Sequence, residues 1–281
     1  MKSQAQFNWI FVIIAGAIIL TFFVSFALKY KSLQDEKLSV ELLINFDNAL
    51  TNLQSTTFTV FDTIEAPKEI EITCSKFRIE NREYDNNKLI FSPKNLKDKI
   101  YIYYRQFNFP FKIGNFYYII SPGNKFFLVH NDQKSREYAQ ALIDDLPDKF
   151  KQNVLSVSSR QPNGKNVFIN SNANANDVNI ILQDKISIYY NNKLYNDVNH
   201  ELVYGAIFSD DFDCVYNKLK QNIDDVILSY QNKLILLQGS NCNYASSIQY
   251  LQNLKNLRYQ DTKAVEELNK EMSSRNCPLI Y

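Results

Sequence analysis

The first strong pattern in the chain is a block of twenty residues, 9–28, without a charge. As a helix rising ~1.5 Å per residue it is about 30 Å long, the thickness of a bilayer's hydrocarbon core. A removable signal has a shorter apolar region and ends at a small-residue cleavage site. This run ends instead in "FALKYK", so the pattern predicts a retained single-span helix in contact with the lipid bilayer. Trp9 and Tyr30 stand near its ends as interfacial anchors, with Leu28 the last apolar residue and Lys29 and Lys31 able to snorkel. Gly16, between Ala15 and Ala17, is a small patch that allows another helix to approach closely.

No Gly or Pro interrupts the chain between Ala17 and Ala66. The helical period continues past the span but becomes amphipathic. Leu43, Phe46, Leu50 and Leu53 step by three and four. Span and stalk together make a rod of about 45 residues, ~65 Å long. The seam has two uses: packing against the domain that follows, or self-association with a second copy.

Period-two and aromatic segments come next. "EIEITCSKFRIE" and "KIYIYYRQF" read as strands, Pro110 breaks the second, and "NFYYIISPGNKFFLVH" reads as a hairpin turning at Pro122-Gly123. A helix capped by Asn131 or Asp132 carries Tyr138, Leu142 and Leu146 on one face, and Pro147 ends or restarts it. After the polar break "SSRQPNGKN", "NVFIN" and "VNIIL" read as strands around the low-complexity loop "SNANANDVN". "KISIYYNNKLYN" reads as a hairpin turning at Asn191-Asn192, and "ELVYGAIFS" as a further strand. The C-terminal part is helical. Phe212, Val215, Leu219, Ile223, Val226, Tyr230 and Leu234 form one stripe, Ile248, Leu251, Leu254 and Leu257 a second, and Val265, Leu268 and Met272 a third behind Asp261 as a cap. The predicted fold class is α+β. A tail and transmembrane anchor cover 1–31, an amphipathic stalk helix 32–56, and a head 57–281. In the head an antiparallel strand-rich part (57–208) precedes a helical part (209–281).

Composition adds little to this picture except by exclusion. The net charge of +1 supplies no field for nucleic acid, so a primary nucleic-acid role is excluded. No P-loop, G-x-G-x-x-G, G-x-S-x-G or H-E-x-x-H motif occurs, so no cofactor and no catalytic residue is assigned. His130 and His200 are too few for a triad or a mixed Cys/His metal site. Asp210, Asp211 and Asp213 form the densest acidic group. They read first as the acidic start of a helix capped by Ser209 or Asp210, and only second as Ca²⁺ or Mg²⁺ ligands. The aromatic strands supply a buried sheet face, with some rings left over for a surface platform. No Asn-x-Ser/Thr acceptor is present.

The four cysteines, Cys74, Cys214, Cys242 and Cys277, contain no CxxC pair. Cys214, Cys242 and Cys277 mark helix ends, and at least one disulfide joins two of the three in this reading. Disulfides place the head outside the cytoplasm. The lysine count around the span, with Lys29, Lys31 and Lys37 on the head side against Lys2, points the other way.

The start "MKSQAQFNW" resembles the archaeal class III signal cut by a prepilin-type peptidase. In that family a basic residue, a small residue and often Gln precede the apolar helix, and Lys2, Ser3 and Gln4 stand in those places. The resemblance implies cleavage after Ser3 and a pilin-like filament subunit. It covers about ten residues plus the helix and departs at Asn8, where an acidic residue is expected. "YGAIFSDD" and "RNCPLIY" resemble segments of uncharacterised single-span membrane proteins of small-genome archaea, a resemblance that implies location and no chemistry. The expected function is thus a membrane-anchored extracytoplasmic structural or binding protein in an envelope assembly, with a pilin-like subunit as the alternative and a membrane-tethered enzyme third.

Overall fold

The computed structural model describes residues 3–54, 60–171, 174, 177–237, 242–255 and 259–281. Its elements follow in chain order. Helix α1 (Ser3–Gln54) leads into β1 (Val60–Ile72), β2 (Lys76–Ile79), β3 (Arg82–Asp85), β4 (Leu89–Phe91), β5 (Asn95–Asn108) and β6 (Lys112–Ile120). Then come β7 (Phe126–His130), α2 (Gln133–Asp144), α3 (Asp148–Lys151), β8 (Val154–Val157), β9 (Lys165–Ile169), β10 (Val178–Leu182), β11 (Ile186–Tyr190) and β12 (Lys193–Tyr195). Helices α4 (His200–Phe208), α5 (Phe212–Leu237), α6 (Ala245–Leu254) and α7 (Tyr259–Ser274) close the chain, which is α+β as expected.

Helix α1 is continuous through 52 residues, because nothing in its sequence interrupts the backbone ladder. Its second half lies on a six-stranded sheet of order β3-β2-β1-β5-β6-β4. Leu43, Phe46, Leu50 and Leu53 are buried there with Ile70, Phe77, Ile100 and Ile102. The Tyr117 hydroxyl donates to the Leu50 carbonyl at 2.9 Å. The head's own sheet therefore covers the seam, the first of its two expected uses, and a second copy would have to displace the sheet. In β1 the register shifts between Ala66 and Ile70, a bulge that accommodates Pro67 without a missing ladder donor.

The other face of this sheet is buried as well. Alternate residues of β5 and β6 point away from α1. Tyr103, Phe107, Phe116, Tyr118 and Ile120 pack with Phe126, Leu128, Tyr204, Phe208 and Phe212. Burial on both faces is why these strands read as unbroken aromatic and branched runs. It also leaves the rings of "YIYY" and "FYYII" in core, not on a binding platform.

A second six-stranded sheet has the order β12-β11-β10-β9-β7-β8. It is mixed. β8, β7, β9 and β10 run parallel, and only β10–β11 and β11–β12 are antiparallel. The expected antiparallel head thus holds for the first sheet, apart from the parallel β4–β6 pair. Two local expectations are overturned. β6 and β7 do not form a hairpin: the turn at Pro122-Gly123 exists, with Asn124 N–H bonded to Ser121 O at 3.0 Å, but it passes the chain from one sheet to the other. The real hairpin partner of β6 is β5, across the turn at Pro110. "ELVYGAIFS" is helix α4, not a strand; all of residues 202–208 are buried between the two sheets. A helix buried all round has no polar face, so periodicity cannot mark it. Gly205 makes that position possible, since a Cβ there would lie 2.7 Å from the Phe91 ring.

Helix α5 buries Phe212, Val215, Leu219, Ile223, Ile227 and Leu234, with Val226 and Tyr230 only partly covered. α6 packs on it and α7 packs on α6, with Leu251, Leu254, Val265 and Met272 buried in the same core. Asp261 lies in the first turn of α7 and does not cap it. Asp132 caps α2 and Asn191 and Asn192 take positive φ at the β11–β12 turn, both as predicted. Lys2, Leu257 and residues 172–173 and 175–176 of the low-complexity stretch lie outside the described residues.

Candidate functional site

The bare half of α1 is the first functional feature. α1 is long and apolar enough to cross a membrane, and none of that apolar window is covered by the rest of the chain. Trp9, Leu28 and Tyr30 are exposed, and nothing lies within 4 Å of where a Cβ on Gly16 would stand. Ser3 and Gln4 fall in the first turn of the helix.

Where the helix meets the head, polar groups fix the two together. The Lys68 ammonium donates to the Asp35 carbonyl at 3.0 Å and to the Ser39 hydroxyl at 3.1 Å, and pairs with Glu80 at 3.1 Å. Arg82 pairs with Glu36. One helical stretch higher, Asp47 pairs with Lys88, both side chains well covered. These contacts tie the β2–β3 hairpin and the loop after β3 to the stalk, so α1 has no free hinge between its bare half and the head. No signal in the chain beyond scattered charges points to them.

The cysteines form two pairs at disulfide distance, Cys74–Cys214 and Cys242–Cys277, each with Cα atoms 5.9 Å apart. The second joins two of the three helix-end cysteines, as expected, and closes the α6–α7 pair. The first joins the β1–β2 turn to the start of α5, across 140 residues. Beside it the Lys218 ammonium donates to the carbonyls of Cys74, Asn86 and Lys88 at 3.2, 2.7 and 3.2 Å. Burial pushes Lys218 down to about 8, with the nearby Lys88 charge acting in the same sense. Lys165 is likewise pushed down to about 8 by burial, against an opposing pull from Asp210. Its ammonium donates to Ala206 O at 2.9 Å and to Ser209 O, at the carbonyl end of α4 where a cation is favoured. Both lysines thus spend their ammonium hydrogens on main-chain carbonyls.

The acidic group is spent on structure. Asp210 accepts from Lys94 N–H at 3.0 Å, and Asp213 accepts from Tyr195 and pairs with Lys193 at 3.5 Å. Asp211 sits with the sulfurs of Cys74 and Cys214, the three ligand atoms within 4.8 Å of one another. Sulfurs joined to each other supply no thiolate, so the paired state is not a metal centre. His130 ends β7, and His200 opens α4 with its ring edge-on to Tyr138 at 5.8 Å. No nucleophile–base pair joins these groups among the described residues.

Compared with known proteins, the chain matches no family model, no curated protein and no solved structure.

Proposed function

We propose that the protein is a single-span, membrane-anchored protein whose extracytoplasmic α+β head is a structural or binding module. The observation that carries this is the division of α1. One unbroken helix leaves an apolar, uncharged half bare and buries its other half as part of the head's core. The two cysteine pairs support an oxidising compartment for the head. The test is carbonate washing of native membranes, then protease treatment of sealed vesicles and thiol blocking without reduction. Retention in the membrane, an accessible head and no blocked thiol are expected. A chain that washes off, or four blocked thiols, would sink the reading.

The same division favours one second reading, a filament subunit processed after Ser3. A bare apolar half-helix on a folded head is the geometry that polymerisation through that helix needs. Intact mass of the native protein separates the two: loss of residues 1–3 supports processing, a full-length chain a plain anchor.

A further inference from the structure

On the single-span reading, one polar cleft lies at the level of the lipid headgroups. It opens between α1 and the β2–β3 turn, has a volume of about 640 Å³, and is lined by Leu28, Lys31, Asp35, Glu36, Glu80 and Arg82, among others. Leu28 is the last apolar residue of the span. Lys31 stands ~4.5 Å farther out along the helix and Asp35 ~10 Å. The headgroup layer outside the hydrocarbon is about 5–8 Å thick. The cleft thus starts at the hydrocarbon border, crosses the headgroup layer between Lys31 and Asp35, and continues beyond it to Ser39, ~16 Å out.

Its charges are divided. Glu36 is paired with Arg82, and Glu80 with Lys68. Lys31 and Asp35 line the same cleft one turn apart, and neither has an ion-pair partner among the described residues. The cleft's wall is held in place by an unusual turn. Glu80 sits at φ 53, where Gly or Asn is the easier choice, and its carboxylate meets Lys68 at 3.1 Å and Ser39 at 3.4 Å.

We propose that this cleft binds the headgroup of a zwitterionic aminophospholipid of the phosphoethanolamine class, drawn from the surrounding leaflet; the proposal rests on the single-span reading. The order of charges matches. In such a lipid the phosphate is next to the glycerol, and the ammonium lies farther from the hydrocarbon. Lys31 is the deeper group and meets the phosphate, and Asp35 is the outer group and meets the ammonium. The lining carries two cations against three carboxylates, which disfavours a headgroup with net negative charge. A primary ammonium donates three hydrogen bonds to carboxylates, whereas a trimethylammonium donates none, so phosphoethanolamine is preferred to phosphocholine.

The test uses the full-length protein in detergent, incubated with dioleoyl phosphoethanolamine, phosphocholine or phosphoglycerol, with native mass spectrometry counting retained lipid. Phosphoethanolamine should be retained about fivefold over either competitor, the size of one partly screened ion pair. Asp35→Asn should remove the margin over phosphoglycerol, and Lys31→Gln should lower retention of all three. Both side chains are exposed, so the variants should fold, and unchanged disulfides would verify it. Equal retention of the three lipids, or a preference that survives Asp35→Asn, overturns the proposal. So does displacement of bound lipid by soluble glycerophosphoethanolamine at equal concentration, which would assign the cleft to a free ligand. Carbonate washing of vesicles holding the same protein separates the two failures. A chain that washes off removes the anchor reading and this proposal with it, while a retained chain without lipid preference removes this proposal alone.

Discussion

Replacing Phe46 by alanine tests whether the stalk is part of the head. Phe46 has no exposed surface, and its ring meets Phe77 edge-on at 5.0 Å. It is flanked along the helix by Leu42, Leu43 and Leu50, all buried against the same sheet. Removing a buried phenyl ring costs about 3–5 kcal/mol, the transfer term plus the cavity left behind. Sheet and helix are locked on both sides of the site, by Lys68 at Ser39 and by Tyr117 at Leu50, so the cavity has little means to collapse. The upper half of that range is therefore expected. Ile44 is the control: it lies two residues away on the same helix and is 45% exposed, so Ile44→Ala should cost less than about 0.5 kcal/mol. Urea unfolding of the full-length protein in detergent, followed by near-ultraviolet tyrosine dichroism, reads both variants. A Phe46→Ala midpoint equal to that of Ile44→Ala would refute the packing argument. An unchanged midpoint with a halved particle mass would show instead that the seam binds a second copy.

Three further outcomes follow from the packing. Cys74→Ser with Cys214→Ser releases a loop of 140 residues and Cys242→Ser with Cys277→Ser one of 35. Chain entropy puts these at about 5 and about 4 kcal/mol, so the first double variant should have the lower urea midpoint. Gly205→Ala drives a methyl into the Phe91 ring and should cost about 1–3 kcal/mol by thermal unfolding, with the α4 region first to exchange amide hydrogens. Stability should rise as pH goes from 8 toward 10. There the unfolded chain keeps protons on its lysines while buried Lys165 and Lys218, held near 8, have released theirs. Above about pH 10 it should fall, because burial raises the pKa of Tyr118 and Tyr204, which stay protonated in the fold while unfolded tyrosines ionise. Lys218→Met should flatten the rise, as a pH series of urea midpoints would show.

The parts of the fold readable in the sequence are those with a single buried face. The α1 seam, the α5 stripe, the Asp132 cap and the Asn191-Asn192 turn each leave a local signature. What was misread is buried on every side or decided at long range. α4 has no polar face to set its period. Pro122-Gly123 is a proper turn signal, but whether the next strand returns to the same sheet depends on the parallel partners of β7, which are β8 and β9. β8 was not read at all, since "VLSV" is four residues with no alternation of its own. The cysteine arithmetic pointed to the helical end of the chain, but the partner of Cys214 is a turn 140 residues earlier. The contacts of Lys68, Glu80, Arg82 and Glu36 are set by where the hairpin meets the stalk, and no spacing in the chain encodes that.

The unbroken α1 also acts as a lever. If a bilayer surrounds residues 9–28, the remaining 26 residues of the helix extend about 39 Å beyond it. With the head bolted along that length, a change of 10° in the tilt of the span swings the far end by about 7 Å. Tilt answers to the mismatch between span and hydrocarbon thickness. A thinner membrane would therefore incline the whole head, and the angle it presents to its surroundings would report on the lipid beneath it.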